Sequence, residues 1–166
     1  MQVIETERLN FRWIAAEDAA FILALLNDPA WLRFIGDRGV RTTDAARTYI
    51  LNGPVTMYER LGFGLYLTER KSDGVPMGIC GLIKRDGLDD IDIGFAFLPQ
   101  FCAKGYAHVA VMAYVKNTFG LKRIVAITKH DNASSIKLLE KIGLKFMRMV
   151  VLPGNIEEVM LYAWDA

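Results

Sequence analysis

The chain has 166 residues, 52% of them apolar and 23% charged, and its 20 Lys and Arg almost balance 19 Asp and Glu for a formal net charge of +1 and an isoelectric point near 7.7. That is one domain's worth of protein, able to bury on the order of 68–70% of its unfolded surface without a disulfide or metal staple. The balance of charge argues against a nucleic-acid binder, which carries a basic excess to pair with phosphates, and no membrane partner is expected. The longest apolar runs, Ala19–Leu26 and Val109–Val115, are eight and seven residues, against the roughly 18–20 that cross a bilayer.

The stretch Met1–Arg12 alternates charged with apolar residues and lacks the apolar core of a signal peptide, so a cytoplasmic location is expected. Cys80 and Cys102 have no second Cys or His at metal-ligand spacing. No metal is expected, and in a reducing compartment both are read as free thiols.

The first strand is Glu7–Ile14, where Leu9, Phe11 and Trp13 alternate with Arg8, Asn10 and Arg12. A helix follows over Glu17–Leu26 and stops at Asn27-Asp28-Pro29. Thr42 or Thr43 caps a helix over Asp44–Leu51, and Gly53-Pro54 breaks it and opens a second short helix toward Leu61. Three strands, Gly64–Glu69, Met77–Lys84 and Ile91–Leu98, are joined by polar turns, which predicts antiparallel hairpins. After Pro99 come a helix over Gly105–Phe119, a strand Arg123–Thr128, a helix Asn132–Ile142, and strands Lys145–Leu152 and Glu157–Trp164. The whole predicts one α/β domain over 1–166, with a mixed sheet of about seven strands and about four helices, partly parallel in its second half.

Three segments exceed what folding needs. Gln100-Phe101-Cys102-Ala103-Lys104-Gly105-Tyr106-Ala107-His108 joins an apolar strand to an apolar helix with no side-chain cap. Its small residues and Lys104 suit a phosphate held by free N–H groups and the helix dipole; a water-capped helix start is the alternative. Gly94 interrupts the strand Ile91–Leu98, which implies either a bulge that frees N–H groups or a bulky neighbour on a facing helix. Asn132 and Ser135 stand three residues apart at the start of an amphipathic helix that Gly143 ends.

Together these segments resemble the GCN5-related N-acetyltransferase (GNAT) superfamily. Ile93-Gly94-Phe95 precedes a Pro, Lys104-Gly105-Tyr106-Ala107 follows, and Asn132, Ser135 and Lys141-Ile142-Gly143-Leu144 lie about 25 residues on. The opening Glu5-Thr6-Glu7-Arg8-Leu9 is similar to the RimJ/RimL-type branch of ribosomal-protein N-terminal acetyltransferases. The resemblance implies a mostly antiparallel sheet with a central parallel pair splayed apart, and acetyl-coenzyme A as cosubstrate. It implies that Cys102, Ala103, Lys104, Gly105, Tyr106 and Ala107 wrap the pyrophosphate, and that the strand carrying Phe97 and Leu98 is bulged and pairs with the pantetheine arm. It further implies that Asn132 touches the pantetheine and Ser135 lies near the thioester sulfur. Cys102 departs from the pattern, which prefers Gln, Arg or Trp there, and His108 stands where Glu is common.

The implied reaction is attack of a primary amine on the thioester. Asp92, a carboxylate in an otherwise apolar strand, is the candidate base, with a solvent-facing Asp as the alternative; Ser135 is the candidate acid, with a helix-start serine as the alternative. An N–H near Gly94–Phe97 would meet the oxyanion. A protein N-terminal α-amine, with a pKa of about 7.7–8.0, asks less of a base than a lysine near 10.4. A small-molecule or antibiotic acetyltransferase and a non-catalytic acyl-CoA-binding module remain open. The segment Trp31–Arg41 is either an acceptor wall or helix packing, and part of the apolar content is free to line a pantetheine groove or a homodimer interface.

Overall fold

The computed structural model describes residues 2–116 and 120–165. Eight strands form one sheet: β1 (Gln2–Glu5), β2 (Leu9–Trp13), β3 (Leu65–Arg70), β4 (Pro76–Ile83), β5 (Asp92–Phe97), β6 (Arg123–Thr128), β7 (Lys145–Val150) and β8 (Val159–Asp165). Their order across the sheet is β1-β2-β3-β4-β5-β6-β8-β7, antiparallel at every neighbour except the parallel pair β5–β6. The helices are α1 (Ala19–Leu26), α2 (Pro29–Phe34), α3 (Thr43–Ile50), α4 (Thr56–Leu61), α5 (Tyr106–Lys116) and α6 (Ala133–Lys141).

Strand alternation gives the sheet two apolar faces. On one, Ile93, Ile124, Ala126 and Tyr162 pack with Tyr106, Ala110 and Val111 of α5 and Leu139 of α6. On the other, Leu67 and Ile79 meet Ile22 and Leu25 of α1 and Ala46 and Ile50 of α3. Each fully buried Leu or Ile contributes about 1.5–3 kcal/mol, so these two layers hold the central strands in place and leave the ends of β5 and β6 to the loops.

The structure corrects the sequence reading in four places. β1 is an extra strand, closed onto β2 by Thr6, whose hydroxyl accepts the Leu9 N–H at 3.0 Å. Asn27-Asp28-Pro29 ends one helix and starts another: Asp28 caps α2 by accepting the Ala30 N–H at 3.0 Å, and Pro29 takes the first helical position, where a missing N–H costs nothing. Gly53-Pro54 does not break the chain, because residues Leu51–Val55 widen into a π-helical turn that leads straight from α3 into α4. β5 carries no bulge against β4: its partners run without a shift from Ile83–Asp92 to Gly78–Phe97. The space at Gly94 is filled instead by Ile83 of the neighbouring strand, whose Cδ1 lies 2.7 Å from where a Cβ would stand. The expected end of the fifth helix at Phe119 lies outside the described residues.

Candidate active site

β5 and β6 touch at one pair of residues, Asp92 and Val125, with the Val125 N–H donating to the Ile91 carbonyl at 3.0 Å. Beyond that vertex the two strands share no further bridge. Odd-numbered residues of β5 direct their backbone groups to β6, as Ile91 does, and even-numbered positions turn to β4, as Leu98 does in donating to the Met77 carbonyl at 2.9 Å. The N–H groups of Phe95 and Phe97 therefore face the gap. A wedge edged by an unpaired strand suits an extended, amide-bearing ligand.

The loop after β5 closes one side of the wedge. Ala103 has φ +59° and Gly105 φ +77°, a left-handed geometry that turns successive N–H groups to one side. The first bond of α5 runs from the Val109 N–H to the Gly105 carbonyl, and the N–H groups of Tyr106, Ala107 and His108 have no acceptor among the described residues. Lys104 is exposed beside them. Helix dipole, free N–H groups and one cation converge as an anion cradle. Cys102 supplies no charge to it: its Sγ lies 3.6 Å from the Leu98 carbonyl and 3.8 Å from that of Phe97, and burial together with Asp28 pushes its pKa up. The side chain of Tyr106 points to the far side, toward β2 and β3, with the Arg8 guanidinium 4.3 Å over its ring and Arg70 acting on its hydroxyl together with Arg8. The phenol's pKa is held down by those two cations.

On the other side of the wedge, Asn132 caps α6 by accepting the Ser135 N–H at 3.2 Å through Oδ1, which leaves its Nδ2 to donate elsewhere. Ser135 is buried on the inner face with Leu139.

Asp92 is not a solvent-facing carboxylate. It is 1% exposed, at the vertex, on the face opposite α5 and α6. Arg85, in the connection between β4 and β5, bonds its Oδ2 through Nε. Oδ1 has no partner at hydrogen-bonding geometry, although the Ile127 backbone is near enough to favour the charge. Burial outweighs Arg85 and Ile127 and pushes the pKa up to about 6. Nearby, Tyr49 of α3 is held as a neutral phenol by burial, with Arg38 and Arg85 acting on it in the opposite sense.

α2 spans the open end of the wedge. Asp28 at its start acts on Cys102, and Arg33 near its end pairs with Asp131, just before α6, at 3.2 Å. Of the segment expected as an acceptor wall, Trp31 is core, 5% exposed, with its indole N–H on the Gly36 carbonyl at 3.1 Å, while Arg33, Ile35 and Arg38 are exposed. Two residues of the site, Arg85 and Tyr49, escaped the sequence reading. Arg85 sits in Arg85-Asp86-Gly87, whose composition signals a turn and nothing more.

A sheet splayed at its parallel pair, with two helix N-termini flanking the wedge, is the architecture that the resemblance to acetyltransferases implies. The chain belongs to the GNAT family: residues 8–145 match the acetyltransferase (GNAT) domain. It is 27% identical over 146 residues to the uncharacterized N-acetyltransferase YoaA of Bacillus subtilis (strain 168), covering 85% of this chain and 81% of that protein. Among solved structures, a GNAT-family acetyltransferase from Bacillus anthracis superposes with a TM-score of 0.79 at 23% identity over 99% of this chain and 98% of that one. RimL, a ribosomal L7/L12 alpha-N-protein acetyltransferase in complex with coenzyme A, superposes with a TM-score of 0.82 at 16% identity over 99% and 98%. Similarity at these identities concerns the fold; the family match makes the chain an acetyltransferase.

Proposed function

We propose that the enzyme moves the acetyl group of acetyl-coenzyme A to a protein N-terminal α-amine in the cytoplasm, as a relative of the RimJ/RimL branch. The observation that carries this reading is Asp92, a buried carboxylate with one unpartnered oxygen at the vertex of the wedge. A base of pKa about 6 can take the proton of an ammonium whose own pKa is about 7.7–8.0, and is poorly matched to a lysine near 10.4. The wedge accepts the pantetheine along Phe97 and Leu98, with Asn132 Nδ2 donating to it. Cys102, Ala103, Lys104, Gly105, Tyr106 and Ala107 hold the pyrophosphate through their main chain and the Lys104 charge.

In the reaction Asp92 removes the ammonium proton, directly or through a water, and the free amine forms a C–N bond to the thioester carbonyl. The N–H of Phe95 or Phe97 stabilises the oxyanion. The positively charged nitrogen of the adduct gives its second proton to solvent as the C–S bond breaks, and the Ser135 hydroxyl donates a proton to the departing thiolate and regains one from solvent, while Asp92 releases the proton it took, so that one proton is freed per turnover. Ser135→Ala is expected to lower kcat by about 10²-fold while KM for acetyl-coenzyme A stays within about twofold, measured by thiol release.

The direct test incubates the protein and acetyl-coenzyme A with N-terminal peptides, polyamines and aminoglycosides. N-terminal peptides are expected to turn over at least about tenfold faster than polyamines at neutral pH, the advantage of an amine that is already partly deprotonated. Turnover confined to aminoglycosides or polyamines would replace the acceptor. Coenzyme A binding without turnover of any amine would make the protein an acyl-CoA-binding module.

A further inference from the structure

Among the described residues, the charged side chain that reaches Asp92 is that of Arg85. It comes from a connection fixed at both ends. Lys84 Nζ donates to the carbonyls of Leu88 at 2.6 Å and Asp89 at 2.8 Å, and Asp90 pairs with Arg123 of β6 at 3.2 Å. Leu88, 7% exposed, packs with Val125 and Leu161 on the same face. The Arg85 side chain is 28% exposed against 1% for that of Asp92, so its far end stays hydrated while Nε reaches the buried carboxylate. The contact is made by Nε to Oδ2, and Oδ1 is left without a partner.

We propose that Arg85 is a positioning residue: by holding Oδ2 it locks the Asp92 carboxylate so that Oδ1 is turned to the incoming amine. The inference rests on Asp92 being the base. Its physical content is twofold. A carboxylate with both oxygens free would rotate about its Cβ–Cγ bond, and a single side-on bond from a pinned loop removes that freedom. The guanidinium also favours the ionised form against burial, since an arginine beside an aspartate lowers its pKa by about 1–3 units. The other charged or titratable groups near Asp92 do not compete. From α3, Tyr49 is a neutral phenol; Arg38, after α2, acts on that phenol; from β6 comes the Ile127 backbone; and Asp90 is held by Arg123, which it shares with Asp165.

The test is the pH profile of kcat/KM for Arg85→Gln and Arg85→Lys beside the unaltered enzyme, with acetyl-coenzyme A affinity by calorimetry as a check on the fold. The acid limb, near pH 6 in the unaltered enzyme, is expected to move up by about one unit or more in R85Q and to return to within about half a unit in R85K, with cofactor affinity within about twofold in both. R85K keeps the charge and loses the Nε geometry, so its kcat is expected to fall about tenfold at every pH. A limb unmoved in R85Q overturns the proposal, and so does an R85K enzyme with unaltered limb and kcat, which covers the case in which R85Q does not fold. If Asp92→Asn keeps full activity, the base assignment fails first and Arg85 falls with it; if Asp92→Asn is inactive and Arg85 is indifferent, only the positioning role is lost.

Discussion

Asp92→Asn is expected to lower kcat/KM by about 10²–10⁴-fold and, at pH 8, to raise the stability of the fold. The two effects have one cause. The carboxylate is 1% exposed and its pKa is pushed from an ordinary 3.8 to about 6, with burial the largest contribution. A carboxyl whose pKa is raised on folding binds its proton more tightly in the folded chain than in the unfolded one, so its ionised form opposes folding. The opposition is absent below the unfolded value of 3.8, grows as pH rises, and is complete above about 6. A rise of about two units corresponds to roughly 3 kcal/mol as a ceiling. Asparagine keeps the shape but leaves the Arg85 charge without its carboxylate, so about 1–2 kcal/mol is expected, or a melting temperature higher by about 2–8 °C for a domain of this size. Urea titrations of both proteins from pH 8 to pH 4.5 check this: the advantage of the variant shrinks as pH falls through 6. A constant difference, or a less stable variant at pH 8, would mean that Asp92 is held chiefly by its ion pair with Arg85, as a structural group.

Where local pattern decides structure, the chain was legible. Strict alternation from Leu9 to Trp13 and the helix start at Asn132 with its stop at Gly143 each act over a few residues, and β2 and α6 form where they predict. The failures share a different property. Pro29 reads equally as an end or a beginning until one knows that Asp28 turns its side chain onto the Ala30 N–H. Gly94 reads as a bulge until β4 supplies Ile83, a contact made by strand pairing that no spacing within β5 encodes. Arg85 is seven residues from Asp92, and its turn composition hides an ion pair that only the hairpin between β4 and β5 creates. In the candidate site, the small residues and missing cap at 102–108 were visible because an anion cradle is built from main chain. The surroundings of Asp92 were not, because Arg85 meets it only through the pairing of β4 with β5.

The cradle itself yields the second large effect. Gly105→Ala is expected to weaken coenzyme A binding by about 10–100-fold while costing the fold about 1–2 kcal/mol. The stability cost is that of a side chain held at φ +77°, and among the described residues beyond its two neighbours no atom lies within 4 Å of the added Cβ, so packing adds nothing to that cost. On the proposed placement of the pyrophosphate, what resists is the ligand, because the added methyl would stand where its oxygens approach the N–H groups that begin α5. Charge-assisted bonds to several N–H groups carry most of the affinity, so Lys104→Ala, which removes one exposed cation, is expected to cost only about fivefold. Gly143→Ala is the control. Gly143 has φ +96° at the end of α6, where an added Cβ meets only Trp164 Cδ1 at 3.8 Å, so it carries a similar backbone strain far from the cradle. Calorimetric titration of coenzyme A into the three variants separates strain from site. Equal weakening by G105A and G143A would trace the loss to stability alone, whereas weakening by G105A with G143A unaffected locates the phosphates at the loop.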